Sequence, residues 1–176
     1  SAGISSAFNN LTVIDSTITG NIVRGSSQAA GIVQGSSGRV TLSNSAVAGN
    51  VGGNADIVLF NTSTLASGGY NAIGRIGTLA AVFNQPGDQF GTTATPLEPV
   101  LSPLSYHGGT VPVHVPLLGS PLLDKGKSVR TSDVRGVPLV DLATEPAAGG
   151  NDADIGAVEL SPIFVENLSF NDAGSL

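Results

Sequence analysis

The residues best suited to chemistry lie near the C-terminal end of the chain: Asp133, Arg135, Asp154 and Glu159. A guanidinium binds a carboxylate through two parallel hydrogen bonds, so we expect Arg135 to clamp Asp154 or Glu159 and to lock a closing strand. The same carboxylates could act as a catalytic pair, since glycosidases use two facing carboxyl groups. The structural role is the preferred interpretation. It predicts that Arg135→Ala destabilises the fold without removing a specific activity.

A second acidic pair suggests a metal. Asp152 and Asp154 follow a Gly-Gly-Asn turn at 149–151, and carboxylate oxygens are the ligands that Ca²⁺ prefers. The sequence contains neither the nonapeptide of calcium-binding β-rolls nor the ligand spacing of an EF-hand. We therefore expect a polar turn here, with Asp152 and Asp154 as the only candidate calcium ligands. No other cofactor is predicted.

The remaining candidates for catalysis have a weaker basis. His107 and His114 are the two histidines, and a spacing of seven residues (114 − 107) along strand or loop does not fix both on one face. Many serines are present, but the sequence has no G-x-S-x-G nucleophile elbow. We expect His107 to lie in a turn beside Gly108 and Gly109, and His114 to be packed.

Composition narrows the class of protein. The chain has 176 residues and a net charge of −6, which disfavours nucleic acid and anionic membrane surfaces as partners. No apolar run is long enough to span a bilayer, and the absence of cysteine excludes disulfides and thiolate metal sites. Charged residues make up only 11%, while Gly, Ser, Thr and Asn accompany abundant Val, Ile and Leu. This mixture predicts short strands joined by turns.

The elements that position these residues begin with a repeat. Residues 11–21 and 40–50 lie 29 residues apart (40 − 11), alternate apolar side chains and end in Gly-Asn. A shorter echo, Ala-Gly-Ile, occurs at 2–4 and 30–32. This period fits one coil of a parallel β-helix better than a β-sandwich, so Val40 should stack on Leu11. The coil bends are assigned to Gly20, Asn21, Gly49 and Asn50, with Asn50 stacked on Asn21.

The sequence divides into three parts. Residues 1–95 are predicted to form β-helix coils, including a third and less regular coil through 56–60 and 67–74. Eight of the ten prolines lie between Pro96 and Pro146, a change of texture that marks residues 96–160 as the terminal coil and cap. Residues 161–176 are expected to form a tail or linker.

Four stretches stand out in the last third of the chain: 107–114, 118–124 with Gly126, 133–136 with Pro138, and 154–159. In order and spacing they resemble the C-terminal region of the choice-of-anchor Q domain proteins, a bacterial surface group with right-handed parallel β-helix arrays. The family often has Asn in place of His107 and Cys in place of Ala153. The resemblance implies a secreted, surface-displayed scaffold without an established catalytic residue. With Asp124 from the second stretch, we assign the structural cap to Asp124, Asp133, Arg135, Asp154 and Glu159.

These observations predict an all-β fold, a right-handed parallel β-helix (solenoid) segment with a C-terminal capping region. The expected function is a non-catalytic extracellular or cell-surface scaffold, structural or adhesive and capable of self-assembly. Its expected partners are further β-helix coils in the same or another chain, together with surface glycans or matrix. The alternative is a carbohydrate-active β-helix enzyme, a polysaccharide lyase or hydrolase, whose exposed sheet face would carry acidic and basic residues. Few charges precede Tyr70, which weighs against that alternative.

Overall fold

The computed structural model describes residues 2–24, 31–140 and 146–161. These ranges contain short β-strands and no helix, as expected from a sequence rich in β-branched residues and turn formers. The strands are β1 (Ile4–Ser6), β2 (Leu11–Ile14), β3 (Thr17–Ile18), β4 (Ile32–Gln34), β5 (Arg39–Ser43), β6 (Ala46–Val47), β7 (Ile57–Leu59), β8 (Thr64–Ser67), β9 (Ala72–Ile73) and β10 (Gln89–Phe90).

The strands form three sheets, and all pairings between them are parallel. Sheet 1 has the order β1-β4-β7, sheet 2 the order β2-β5-β8, and sheet 3 the order β3-β6-β9-β10. The chain visits the three sheets in turn and then returns to the first. We call residues 4–18 the first pass, 32–47 the second and 57–73 the third; β10 adds a last strand to sheet 3. The predicted all-β architecture with parallel strands is confirmed for the described residues.

The pairing register follows the repeat. Leu11 pairs with Val40, as the sequence predicted. Ile4 pairs with Ile32, so the shorter echo at 2–4 and 30–32 is also in register. The third pass is shorter, because Val40 pairs with Leu65 only 25 residues later (65 − 40). Asn71 therefore does not continue the Gly-Asn bends; its side chain accepts a hydrogen bond from the backbone N–H of Ser45.

The interior between the sheets is apolar. Val40, Leu42 and Val47 of the second pass are fully buried and join the cores of the first and third passes. The same cluster continues into the loop after β9, where Ile76, Leu79, Val82 and Phe83 pack. This loop follows the third pass and contributes the apolar residues that extend the interior beyond it.

We call residues 96–140 and 146–161 the flanking segment, because they lie against the outside of sheet 3. The outward row of that sheet, Thr17, Ala46, Ala72 and Gln89, is in register. Ala46 and Ala72 pack against Leu122 and Ile155 of the flanking segment. At the two ends of the row, Thr17 Oγ1 accepts the N–H of Ala157 at 3.1 Å and Gln89 Nε2 donates to the carbonyl of Pro121 at 2.7 Å.

The flanking segment therefore lies along the side of the passes. The sequence predicted that these residues form a terminal coil and cap. The segment's described pairings are isolated antiparallel bridges, Leu101 with Pro116 and Ser105 with Val113 among them. The loop at 76–83, and not this segment, packs on the interior after the third pass. Of the predicted tail, only Ser161 falls within the described residues.

Candidate functional site

The predicted bends divide their work between glycine and asparagine. Gly20 and Gly49 both have φ of 69°, a left-handed conformation that glycine adopts without steric cost. Asn21 and Asn50 act through their side chains: Asn50 Oδ1 accepts the backbone N–H of Asn21 at 3.2 Å and its Nδ2 at 2.9 Å. The predicted stacking of Asn50 on Asn21 is therefore present, as a direct hydrogen-bonded pair.

The strongest concentration of acid lies in the flanking segment. Asp124, Asp154 and Glu159 are buried, and their carboxylate oxygens lie within 4.8 Å of one another. Asp124 ends the turn after Leu122, while Asp154 and Glu159 bracket the last described apolar stretch. The structure therefore brings together three of the five predicted cap residues in one cluster, which we call the carboxylate cluster.

Two members of the carboxylate cluster accept a backbone N–H group on each of their two oxygens. Asp154 accepts the N–H groups of Asp124 at 2.8 Å and Leu160 at 2.6 Å, one on each oxygen. Glu159 accepts the N–H groups of Val140 at 3.0 Å and Asp154 at 2.9 Å, again one on each oxygen. Buried polar groups need such partners to offset their lost hydration. The two side chains therefore hold three stretches of the flanking segment together.

Burial also changes the protonation of these carboxyl groups. Loss of hydration raises the pKa of Asp154 to about 6, against the opposing effect of its two N–H donors and with further increases from Asp124 and Asp133. Loss of hydration raises the pKa of Glu159 to about 7, with the neighbouring charge of Asp154 acting in the same direction. Asp154 and Glu159 thus hold protons at a pH where exposed acids are ionised.

The expected partner of Arg135 is wrong. Its guanidinium pairs with the Asp133 carboxylate at 2.7 Å, and both side chains are almost completely buried. It reaches Glu159 only through that residue's backbone carbonyl, and a further bond goes to the carbonyl of His107 at 3.1 Å. The guanidinium pairs with Asp133 because this residue is only two positions away and its carboxylate is already held by the N–H groups of Arg135 and Glu159. The locking role remains, but with a different carboxylate.

The structure separates the two calcium candidates. Asp154 belongs to the carboxylate cluster, whereas Asp152 has φ of 63° in the preceding turn and is not a member of that cluster. Ca²⁺ takes about six to eight oxygen ligands. Both oxygens of Asp154 already accept backbone N–H groups. Of the described residues, the carboxylate cluster is the group whose oxygens are close enough to share a metal, and calcium binding stays a prediction.

The two histidines meet at one serine that the sequence did not single out. His107 Nε2 lies 3.2 Å from Ser102 Oγ, and His114 Nδ1 lies 2.7 Å from the Ser102 carbonyl oxygen. Ser102 is buried, and its Oγ accepts the N–H of Val115 at 2.9 Å. A serine–histidine contact is present in hydrolases, but this hydroxyl lies between the isolated bridges Leu101–Pro116 and Ser105–Val113 and binds the backbone there. We assign it a structural role.

Asn44 joins the passes to the flanking segment, and sequence reasoning missed it. Its Nδ2 donates to Asp15 Oδ1 at 2.9 Å and to the Asp154 carbonyl at 3.3 Å, while its Oδ1 accepts the N–H of Lys127 at 2.9 Å. Gly126 permits this approach, because a Cβ there would overlap Asn44 Oδ1 and two carbonyl oxygens. The signal was its place in the repeat, 29 residues after Asp15 (44 − 15).

A cleft of about 280 Å³ opens between residues 14–16 of the first pass and the flanking segment. Asp154 and Glu159 form part of its wall, and Arg130 pairs with Asp15 beside it at 3.1 Å. The Arg130 side chain is 64% exposed, so this pair is accessible to solvent. The cleft is the place where a small polar ligand could approach the carboxylate cluster.

Within the ranges given above, no helix has the length and apolar character needed to cross a membrane. Comparison with protein-family models, with curated proteins and with solved structures gives no match for this chain.

Proposed function

We propose that this chain is a non-catalytic scaffold of the extracellular space or cell surface, built as a segment of a right-handed parallel β-helix. The three passes form its body and the flanking segment covers one side. Membership of the choice-of-anchor Q domain proteins, suggested by the stretches at 107–159, belongs to the same proposal. Its proposed function is to serve as a stiff structural or adhesive module.

One observation carries the non-catalytic assignment. The residues best suited to acid–base chemistry, Asp154 and Glu159, have every carboxylate oxygen bound by a backbone N–H. A general acid or base must come within about 3 Å of the substrate proton. Asp154 and Glu159 are only 3% and 2% exposed, and their oxygens bind the backbone of the flanking segment, which supports a structural role.

The outer sheet faces support the same assignment. On sheet 2 the outward row is Thr12, Thr41 and Ala66, and on sheet 1 it is Ser5, Val33 and Val58. A lyase for acidic sugars needs basic and acidic side chains on such a face. Arg39, exposed at the start of β5, is the charged residue in the strands of these two sheets. The other outward side chains are neutral and mostly small, which favours contact with neutral glycans or matrix proteins, and we propose these as partners together with further coils.

The test is an activity screen on acidic polysaccharides, following unsaturated products by ultraviolet absorbance and new reducing ends by colorimetry. We expect no turnover above that of a heat-denatured sample. Glu159→Gln is the matched variant, because it keeps the side-chain shape and removes the acid. Turnover by the native chain that disappears in a folded Glu159→Gln variant would establish the alternative, a carbohydrate-active enzyme.

A further inference from the structure

The first pass forms the edge of all three sheets. β1, β2 and β3 each stand at the end of their sheet, with the second pass as their neighbour among the described residues. In a parallel ladder, each residue directs its N–H and C=O to one side and the next residue to the other. The Ile4 N–H donates to the Gly31 carbonyl and the Ser6 carbonyl accepts from the Gly35 N–H. The backbone N–H and C=O of Ser5, which lies between them, therefore point away from the second pass, towards the open edge. By the same alternation, the backbone N–H and C=O groups of Thr12, Ile14 and Thr17 also point towards the open edge.

Two rows of side chains give the passes a direction. In the first row, the Ser16 N–H donates to Ser45 Oγ at 3.3 Å, and the Ser45 N–H donates to Asn71 Oδ1 at 3.1 Å. The Asn71 N–H then donates to Asp88 Oδ1 at 3.0 Å. In each step the earlier residue gives a backbone N–H, and the later one gives a side-chain oxygen. We call this row the serine–asparagine ladder.

Ser16, the first member of the ladder, is arranged as an acceptor without a donor. Ser45 Oγ donates to the carbonyl two residues back, Ser43, at 2.8 Å, which orients its lone pairs towards the N–H of Ser16. Ser16 Oγ makes the same bond to Ile14 at 2.7 Å. Its oxygen is therefore oriented in the same way, and no described residue donates to it.

The Gly-Asn bend repeats this arrangement. Asn50 Oδ1 accepts the backbone N–H of Asn21, the earlier residue. Asn21 Nδ2 donates to Asn50 Oδ1 and to the Thr19 carbonyl, which leaves Asn21 Oδ1 as the next acceptor in line. The third bend runs the other way, since the Arg39 N–H donates back to Asn10 Oδ1. Two of the three bends therefore end in acceptors that face away from the second pass.

We propose that the exposed edge of the first pass binds a further parallel pass running in the same direction, whose bend N–H groups donate to Ser16 Oγ and Asn21 Oδ1. This inference rests on the scaffold function proposed above and specifies its partner. The partner is recognised by outward backbone groups on three strands and by two side-chain acceptors at a spacing of five residues (21 − 16).

The direction of the ladder argues against a second copy of this chain at the same edge. Two first passes facing each other would bring acceptor against acceptor at Ser16 and Asn21, because their bend N–H groups point inward to the second pass. The opposite end of a second copy is also unsuitable, since the apolar loop at 76–83 packs on the interior there. A pass of matching direction satisfies both acceptors.

The test places a duplicate of residues 2–30 directly before Ala2 in the full chain and measures amide hydrogen exchange. We expect exchange at Thr12 and Thr17 to slow by more than about tenfold, because their N–H groups gain acceptors. The same duplicate is then built on a chain carrying Ser16→Ala and Asn21→Ala. We expect the gain in Tm from the duplicate to be smaller in that background.

Three results would overturn the proposal. Fast exchange at Thr12 and Thr17 in the duplicated chain would show that the edge does not accept a pass. An equal gain in Tm in both backgrounds would show that the two acceptors do not recognise it. An unmodified chain that sediments as a dimer, with Thr12 and Thr17 already protected, would show that a second copy is the partner. None of these outcomes depends on the polysaccharide screen, so the two proposals fail separately.

Discussion

The passes and the flanking segment are stabilised by different kinds of interaction. In the passes, each strand lies on a near copy of itself, and the buried side chains are Val, Leu and Ile in register. In the flanking segment, strand pairing is limited to isolated bridges, and buried carboxylates with one guanidinium bind the backbone. The comparison shows two sources of order, one repetitive and one made of single contacts.

This difference should determine how each region responds to substitution. A repeat distributes its stabilisation over many equivalent contacts, so one polar change removes a small part of it. A buried ion pair concentrates stabilisation, because removing one partner leaves the other charged and unhydrated. The largest effects are therefore expected in the flanking segment.

Arg135→Ala gives the largest expected effect. The substitution leaves the buried Asp133 carboxylate without its guanidinium and removes the bonds to the carbonyls of His107 and Glu159. We expect a loss of about 3–5 kcal/mol in the free energy of unfolding. Urea denaturation followed by circular dichroism measures it. A single transition at the native midpoint would contradict the locking role of Arg135.

Arg130→Ala is the matched control for that measurement. Arg130 belongs to the same segment and also pairs with an aspartate, but its side chain is 64% exposed. Exposed ion pairs contribute at most about 1 kcal/mol. If both variants lost equal stability, burial of the Asp133–Arg135 pair would not explain the effect of Arg135→Ala.

The sequence predicted the passes well, because a repeat states its own register. The spacing of 29 residues placed Val40 on Leu11 without knowledge of any other part of the chain. Where the period shortens, the sequence predicted only a less regular third coil. Asn71 aligns with Ser45, a position that depends on the length of the third pass and on interior packing. The position of the flanking segment on sheet 3 depends on contacts such as Ala46 with Ile155, over 100 residues apart (155 − 46), and no local pattern records these.

The candidate site was predicted in membership but not in pairing. Charge density identified Asp133, Arg135, Asp154 and Glu159, since few charged residues can be buried without partners. Which carboxylate meets the guanidinium depends on a turn geometry that brings Asp133 back onto Arg135. Asn44 and Ser102 were missed because neutral side chains gain their importance only from backbone groups placed beside them by the fold.

The pH dependence of stability should come from the flanking segment. The folded pKa values of Asp154 (about 6, from 3.8) and Glu159 (about 7, from 4.5) are raised, so the folded state binds more protons than the unfolded state between these limits. Their contribution is complete below about pH 4 and is lost as the pH rises to about 7. The loss for Glu159 is on the order of 3 kcal/mol. Tm measured from pH 4 to pH 8 should therefore fall.

Glu159→Gln isolates this effect from the other titrating groups. The amide cannot ionise, so the fall in Tm with rising pH should become shallower, whatever the variant's stability at pH 4. Asp124 and Asp133, which act on the pKa of Asp154, are unchanged in the variant. An unchanged slope would assign the pH dependence to another part of the chain.

Apart from the control variants at exposed positions, the smallest effect is expected from a single change in the repeat. Asn50→Ala removes the acceptor for Asn21 and the bonds from Nδ2 to the Ile18 carbonyl and to Asp56 Oδ1. We expect a loss of about 1–3 kcal/mol in the free energy of unfolding, because these buried groups lose partners while the neighbouring ladder remains intact. Asn54→Ala, at an exposed position four residues later, is the control and should change stability by less than about 0.5 kcal/mol. Equal losses in the two variants would mean that the Gly-Asn bend depends on Gly49 alone. A loss for Asn50→Ala larger than that for Arg135→Ala would reverse the order of the two regions.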